Sequence, residues 1–316
     1  MGSTRGRYEG SWSLSERVTT AMPVPVGESG AGAPKLVVLF GGTFDPPHRG
    51  HVELPVRVRD ELEKRMECVG TGWLVYVPAA RSPHKERGPA ASDADRVEML
   101  KRSLEGVERV GVWTEEIDRA RWGREEKEHG QDARGTEEKE DGQESTCEEP
   151  THSGCGSPNP PRSGGPPEAH GQDAHATMKG TEPSYTVDTV WLAREWLDAQ
   201  GMSGVALRLL IGADQAVGFD KWRSPRQIAQ IASPVVMVRG DVGGSDDLVR
   251  RLKRTRYWRP EELELWREGM VEVGRLDVSA TRIRGALRDG DESAIAEWIA
   301  PGVAGYIRER GLYRGV

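Results

Sequence analysis

An apolar run, Leu36-Val37-Val38-Leu39-Phe40, ends abruptly in Gly41-Gly42-Thr43-Phe44-Asp45-Pro46-Pro47-His48-Arg49-Gly50-His51. The run reads as a short buried strand, and the paired glycines let the backbone that follows come close to a ligand. Thr43 adds a hydroxyl. Pro46 and Pro47 fix φ as the chain turns into the amphipathic stretch 50–65, so the expected unit is strand, tight turn, helix. His48 and His51, three apart, would share one face of a helical turn. Exposed amides, a helix N-terminus and two imidazoles together make a site suited to a polyphosphate. A glycine turn or a His-x-x-His pair taken singly is more often structural; the joint pattern is far more specific.

The alternation continues down the chain. Strand-like runs recur at 73–77, 109–113, 206–211 and 234–238, with a weaker one at 271–276. Amphipathic stretches lie between them at 92–104, opening with a Ser92-x-x-Asp95 capping box, and at 184–199. Strand and helix in alternation imply an α/β fold, a parallel sheet flanked by helices with right-handed crossovers. Ligands of such sheets sit outside the carboxyl ends of the strands, where the glycine segment falls.

Two stretches break the pattern. Residues 121–182 hold 14 acidic and 7 basic side chains and no Val, Ile, Leu, Phe or Tyr. Their net charge of −7 is that of the whole chain. So few apolar groups cannot offset the entropy of ordering, and the expectation is a long disordered acidic insert. An imperfect duplication, His129–Ala133 repeated as His170–Ala174, fits an expanded loop. Residues 1–34, rich in Gly, Ser and Pro, read as a disordered tail without the apolar stretch of a signal peptide. The expected layout is a tail over 1–34 and one domain over 35–316, interrupted by the insert at 121–182.

No apolar run is long enough to span a bilayer. Three cysteines without a C-x-x-C pair suit a reducing, cytoplasmic setting. Cys147, His152 and Cys155, with His170 and His175 beyond, have a loosely metal-like spacing. Nothing nearby would hold such ligands in place, so no protein metal site is expected. Neither a nucleic-acid nor a membrane partner is expected. A homo-oligomer and a partner for the acidic insert stay open.

Further segments carry polar groups that chemistry could use. Ser279-Ala280-Thr281-Arg282-Ile283-Arg284 reads as a capped helix start, with Ser279 as N-cap and Ile283 and Leu287 on an apolar stripe. Its amides and hydroxyls, with Arg284, could equally hold a triphosphate. Asp214, after the run 206–211, is placed to cap a helix or to accept hydrogen bonds from ribose hydroxyls. Trp222 is either core or a platform for a stacked aromatic ring. Ser184, Tyr185 and Thr186 open a helix just past the insert, and capping alone would explain them. Pro78 to Lys85 is a Pro/Ser-rich loop ending in Pro83-His84-Lys85, which could be plain solvated surface.

The glycine segment resembles the HxGH signature of the nucleotidyltransferase superfamily, and its full length resembles bacterial-type nicotinate mononucleotide adenylyltransferases. Val278 to Arg284 is similar to that superfamily's I-S-S-T-x-I-R motif, with Ala280 in place of its second serine. Gly212-Ala213-Asp214 followed by Lys221-Trp222, the Ser-Tyr-Thr segment, the P-H-K loop and the C-terminal stretch 300–313 resemble the same family. The likeness covers about residues 35–120 and 183–315.

It implies a Rossmann-like nucleotidyltransferase fold and transfer of AMP from ATP to nicotinate mononucleotide, in NAD biosynthesis. Gly41, Gly42, Thr43, Phe44, His48, His51, Ser279, Thr281 and Arg284 would bind ATP. His48, His51 and Arg284 would carry the catalysis, with Mg²⁺ arriving on ATP. Lys85, Ser184, Tyr185, Thr186, Asp214 and Trp222 would bind the acceptor, Trp222 stacking on the pyridine ring. A helix N-terminus prefers a carboxylate to a neutral carboxamide, which favours the acid over nicotinamide mononucleotide. The competing readings are another acceptor such as phosphopantetheine, a cytidylyl donor, or a non-catalytic nucleotide-binding regulator.

Overall fold

The structure, a computed structural model, describes residues 20–26, 33–80, 89–121, 185–238, 244–274 and 276–314. Six strands lie among them: β1 (Leu36–Gly42), β2 (Gly72–Pro78), β3 (Val110–Val112), β4 (Ala206–Gly212), β5 (Ser233–Val238) and β6 (Met270–Glu272). They form one sheet, parallel throughout, in the order β3-β2-β1-β4-β5-β6. This is the doubly wound arrangement, in which strand order reverses between β1 and β4. All six apolar runs became strands; the weak one at 271–276 pairs only over Met270–Glu272.

The helices are α1 (Arg49–Arg65), α2 (Asp93–Ser103), α3 (115–121), α4 (Thr186–Ala199), α5 (Ala213–Val217), α6 (Pro225–Ile231), α7 (Ser245–Arg254), α8 (Pro260–Glu268), α9 (Ala280–Asp289), α10 (Glu292–Trp298) and α11 (Pro301–Arg310). The period-two alternation of β1 divides them into layers. Leu36, Val38 and Phe40 pack with Leu54, Val58 and Leu62 of α1 and Leu100 of α2. Val37 and Leu39 face the other way, towards α4 and α6 to α8. A third cluster joins α9, α10 and α11 to Met99 of α2. Each such apolar side chain, once buried, contributes roughly 1.5–3 kcal/mol.

In a parallel sheet a helix that follows a strand begins at the strands' carboxyl edge. That rule puts the starts of α1, α5 and α9 on one edge. Helix α4 leads into β4, so its own start lies at that edge too. Sequence segments far apart in the chain are thereby drawn to the reversal between β1 and β4.

One expectation is corrected. Residues 20–26 fall within the stretch read as a disordered tail, yet they pack on the domain. Met22 and Val24 are buried, and Trp113 Nε1 donates to the Thr20 carbonyl at 2.7 Å. The compositional reading overlooked an alternating Met-Pro-Val triplet inside a Gly/Ser-rich stretch. The stretch 121–182 lies, apart from Arg121 at the end of α3, outside the described residues. The described residues on either side of it belong to one unit. No described helix is long and apolar enough to cross a membrane.

Candidate active site

The loop after β1 is built around an aromatic box. Phe44 takes φ +50 and turns its ring inward, edge-on to Phe40, Tyr76 and His51 at centroid distances of 5.7, 5.8 and 5.2 Å. A Cβ on Gly42 would lie 2.8 Å from that ring, so the second glycine is needed for the loop to fold over it. Phe44 was expected among the ATP-binding residues. Phe44 is instead 1% exposed as a whole residue, and its ring serves as backing for His51.

His48 is the N-cap of α1 and His51 sits at the third helical position. The two rings stack at 3.6 Å between centroids, 23° apart. The His48 amide donates to His51 Nδ1 at 3.3 Å, and Tyr76 Oη donates to the His51 carbonyl at 3.0 Å. Because Nδ1 accepts, the proton of neutral His51 resides on Nε2, which makes Nε2 a donor. Gly50, between the histidines, is equally constrained. A Cβ there would lie 3.1 Å from the His48 ring and 3.1 Å from Val278 Cγ1. The segment before α9 is thus packed against the first histidine.

Helix α9 presents Ser279 as N-cap, its hydroxyl accepting from the Arg282 amide at 3.3 Å. Ser279 and Thr281 are exposed. Arg284 Nη1 donates to the Asp45 carbonyl at 2.6 Å and Nη2 to Thr281 Oγ1 at 3.4 Å. Two motifs separated by more than two hundred residues therefore meet at the same turn.

Two residues that sequence reasoning passed over hold this loop. Arg96 of α2 is wholly buried. Its Nη1 donates to the Thr43 carbonyl at 2.7 Å, while Nη2 donates to the Ala79 carbonyl at 2.8 Å and to Asp93 Oδ1 at 2.7 Å. One guanidinium thus fixes the turns after β1 and β2 together. Asp45 is the other. Its carboxylate accepts from the Ala90 and Ala91 amides at 2.7 and 3.2 Å and from Tyr313 Oη at 2.7 Å. Burial, and then the Asp45 hydrogen bond and charge, push the Tyr313 phenol far above its ordinary range, so it remains a donor. The faint sequence signal was an acidic residue within a loop otherwise made of Gly, Thr, Phe and Pro.

On the opposite side of the β1/β4 reversal, Asp214 is exposed in the first turn of α5. Trp222 is half-buried, its ring 4.6 Å from Phe219. Tyr185 is the N-cap of α4 but makes no side-chain cap; the Arg223 guanidinium lies 4.6 Å over its ring instead. The Tyr-Thr segment and the Trp222 loop are therefore neighbours. Lys85 and Ser184 lie outside the described residues. Among the described residues no group of three or more His, Cys, Asp or Glu side chains could hold a metal ion.

Comparison with known proteins agrees with this geometry. The family model described as cytidylyltransferase-like matches residues 39–141. A relative from Rubrobacter xylanophilus is 28% identical over 88% of this chain and 92% of its own length. One from Chromobacterium violaceum is 26% identical over 88% of this chain and 98% of its own. Both bear the name "probable nicotinate-nucleotide adenylyltransferase". The solved Plasmodium falciparum nicotinic acid mononucleotide adenylyltransferase complexed with NaAD aligns over 88% of this chain and 97% of its own, at 13% identity. Its TM-score of 0.48 adds nothing to a fold already legible from the sheet. With the glycine turn, the paired histidines and Arg284 gathered at the reversal of the sheet, and with relatives matched over nearly their whole length, the chain is similar throughout its described part to the nicotinate-nucleotide adenylyltransferases.

Proposed function

We propose that this enzyme transfers AMP from ATP to nicotinate mononucleotide, releasing pyrophosphate and forming nicotinate adenine dinucleotide. The observation that carries the reading is the meeting of the His48–His51 pair and Arg284 on one turn at the carboxyl edge of β1. The acceptor's phosphate is already an anionic nucleophile, so its attack on the α-phosphorus needs no protein nucleophile. The protein has to hold two anions together and stabilise charge on the α-phosphate and the departing pyrophosphate.

His51 Nε2–H and the neighbouring His48 are the donors for the α-phosphate oxygens. Gly41, Gly42 and Thr43 offer the loop backbone to the triphosphate. Ser279 and Thr281 at the start of α9, with Arg284, take its β/γ end. Tyr185 and Thr186 receive the pyridine carboxylate, Trp222 stacks on the ring, and Asp214 accepts from ribose hydroxyls. Ser184 and Lys85 complete the set by resemblance.

Magnesium enters with ATP in this reading. Asp45, the carboxylate of the glycine motif, already accepts three hydrogen bonds and does not suit a resident ion. Once bound, the cation would neutralise phosphate charge.

Pyrophosphate release, measured with nicotinate and nicotinamide mononucleotides in parallel, tests the reading. A strong preference for the acid is expected. Equal rates would remove the carboxylate pocket, and no release with either would remove the acceptor assignment.

A further inference from the structure

The helix start assigned to the substrate's carboxylate carries an anion of its own. Asp188 lies in the first turn of α4, the same turn whose amides would receive the acid acceptor. Two carboxylates at a single helix N-terminus oppose each other, and the fixed one weakens the site for the mobile one. Arg119 of α3 reaches across to this turn. Its Nη1 lies 3.9 Å from Asp188 Oδ2, and its Nη2 donates to Thr189 Oγ1 at 3.4 Å. Thr189 in turn donates to Glu116 Oε1 at 2.8 Å, and Arg119 Nε stands 3.3 Å from Glu115 Oε1. Glu115, Glu116 and Thr189 are buried, while the Arg119 and Asp188 side chains are 21% and 22% exposed. Solvent and salt screen such a group far less than a surface ion pair.

We propose that Arg119 is a positioning residue that sets acceptor specificity: it fixes the first turn of α4 and cancels the charge of Asp188, so that this helix start accepts an acid mononucleotide. The inference rests on the acceptor site proposed above. Arg119 acts through Asp188 and Thr189 and not on the substrate itself. The turn it reaches is the one that matters: the Asp188 and Thr189 amides both donate to the Tyr185 carbonyl, at 3.0 and 3.4 Å. Residues 122–184 separate α3 from the N-cap of α4 in sequence, so the two helices are not joined by a short covalent link.

The test is steady-state kinetics of Arg119→Gln, Asp188→Asn and the double variant, with both mononucleotides as acceptors. Arg119→Gln should raise KM for nicotinate mononucleotide about tenfold while KM for ATP stays within about twofold. Its kcat/KM with the amide acceptor should change far less. Asp188→Asn alone should lower KM for the acid, and in the double variant it should recover most of the loss. An Arg119 that served only packing would impair both acceptors alike and gain nothing from Asp188→Asn, and that result overturns the proposal. Should Arg119→Gln fail to fold, Asp188→Asn decides alone: an acid KM that does not fall relative to the amide overturns it equally. A wild-type enzyme inactive with both acceptors would overturn the parent reading as well, and that is seen before any variant is made.

Discussion

Gly50 shows how little room there is at the start of α1. Its missing side chain lets Val278 and the His48 ring approach the same point, each 3.1 Å from where a Cβ would stand. Gly50→Ala is therefore expected to displace His48 by a few tenths of an ångström, lowering kcat about tenfold with little change in melting temperature, since misplacement at a reacting centre is costly. His51→Ala removes the donor outright and should lower kcat by about 10²–10⁴-fold while the fold survives. Both are checked by pyrophosphate release alongside a thermal melt. A near-normal rate for His51→Ala would sink its catalytic assignment. His48, His51 and Arg284 were conspicuous in the sequence because each sits in a local motif. Arg96 was not, because its partners are backbone carbonyls at positions 43 and 79. A lone arginine in a capped amphipathic helix reads as surface until the chain is folded.

At the scale of elements, the pairing of α3 with α4 holds an unusual carboxyl group. Burial, and then the neighbouring Glu116, Asp188 and Asp118 charges, raise Glu115 to about 7 against the pull of Arg119. The unfolded chain releases this proton near 4.5, so between 4.5 and 7 the folded state binds more protons. Glu115 thus costs nothing below that window, and its penalty grows as pH rises through it and is complete above about 7. Glu115→Gln should raise stability by on the order of 2 kcal/mol at pH 8. The gain should shrink towards pH 4.5 in denaturant melts across that range, and a pH-independent difference would refute the account. Strands and the main helices were readable from periodicity, down to Ser92 capping α2 by accepting from the Asp95 amide at 3.1 Å. The α3–α4 clasp was not readable, because its two halves lie some seventy residues apart. The segment 20–26 was missed because composition averages away three well-placed residues.

Over the whole molecule, the C-terminal helix α11 braces the start of α2. Tyr306 Oη and Arg310 Nε donate to Asp95 Oδ1 at 2.9 and 3.3 Å. Burial works to raise the Asp95 carboxyl, but hydrogen bonds from Ser92, Tyr306 and Arg310 hold it below its usual range. Side-chain contacts join α3 to α4. Deleting residues 123–180 is accordingly expected to leave kcat/KM and melting temperature nearly unchanged, as measured by pyrophosphate release and calorimetry. A large loss of either would give that segment a structural role.

Tyr313 has a consequence for how the enzyme comes into being. The turn at Asp45 is among the first parts of the domain to leave the ribosome, and its hydrogen-bond partner is among the last. A nascent chain can lay down the sheet without it, but not the finished turn. The finished turn therefore waits on a contact between residues 268 positions apart.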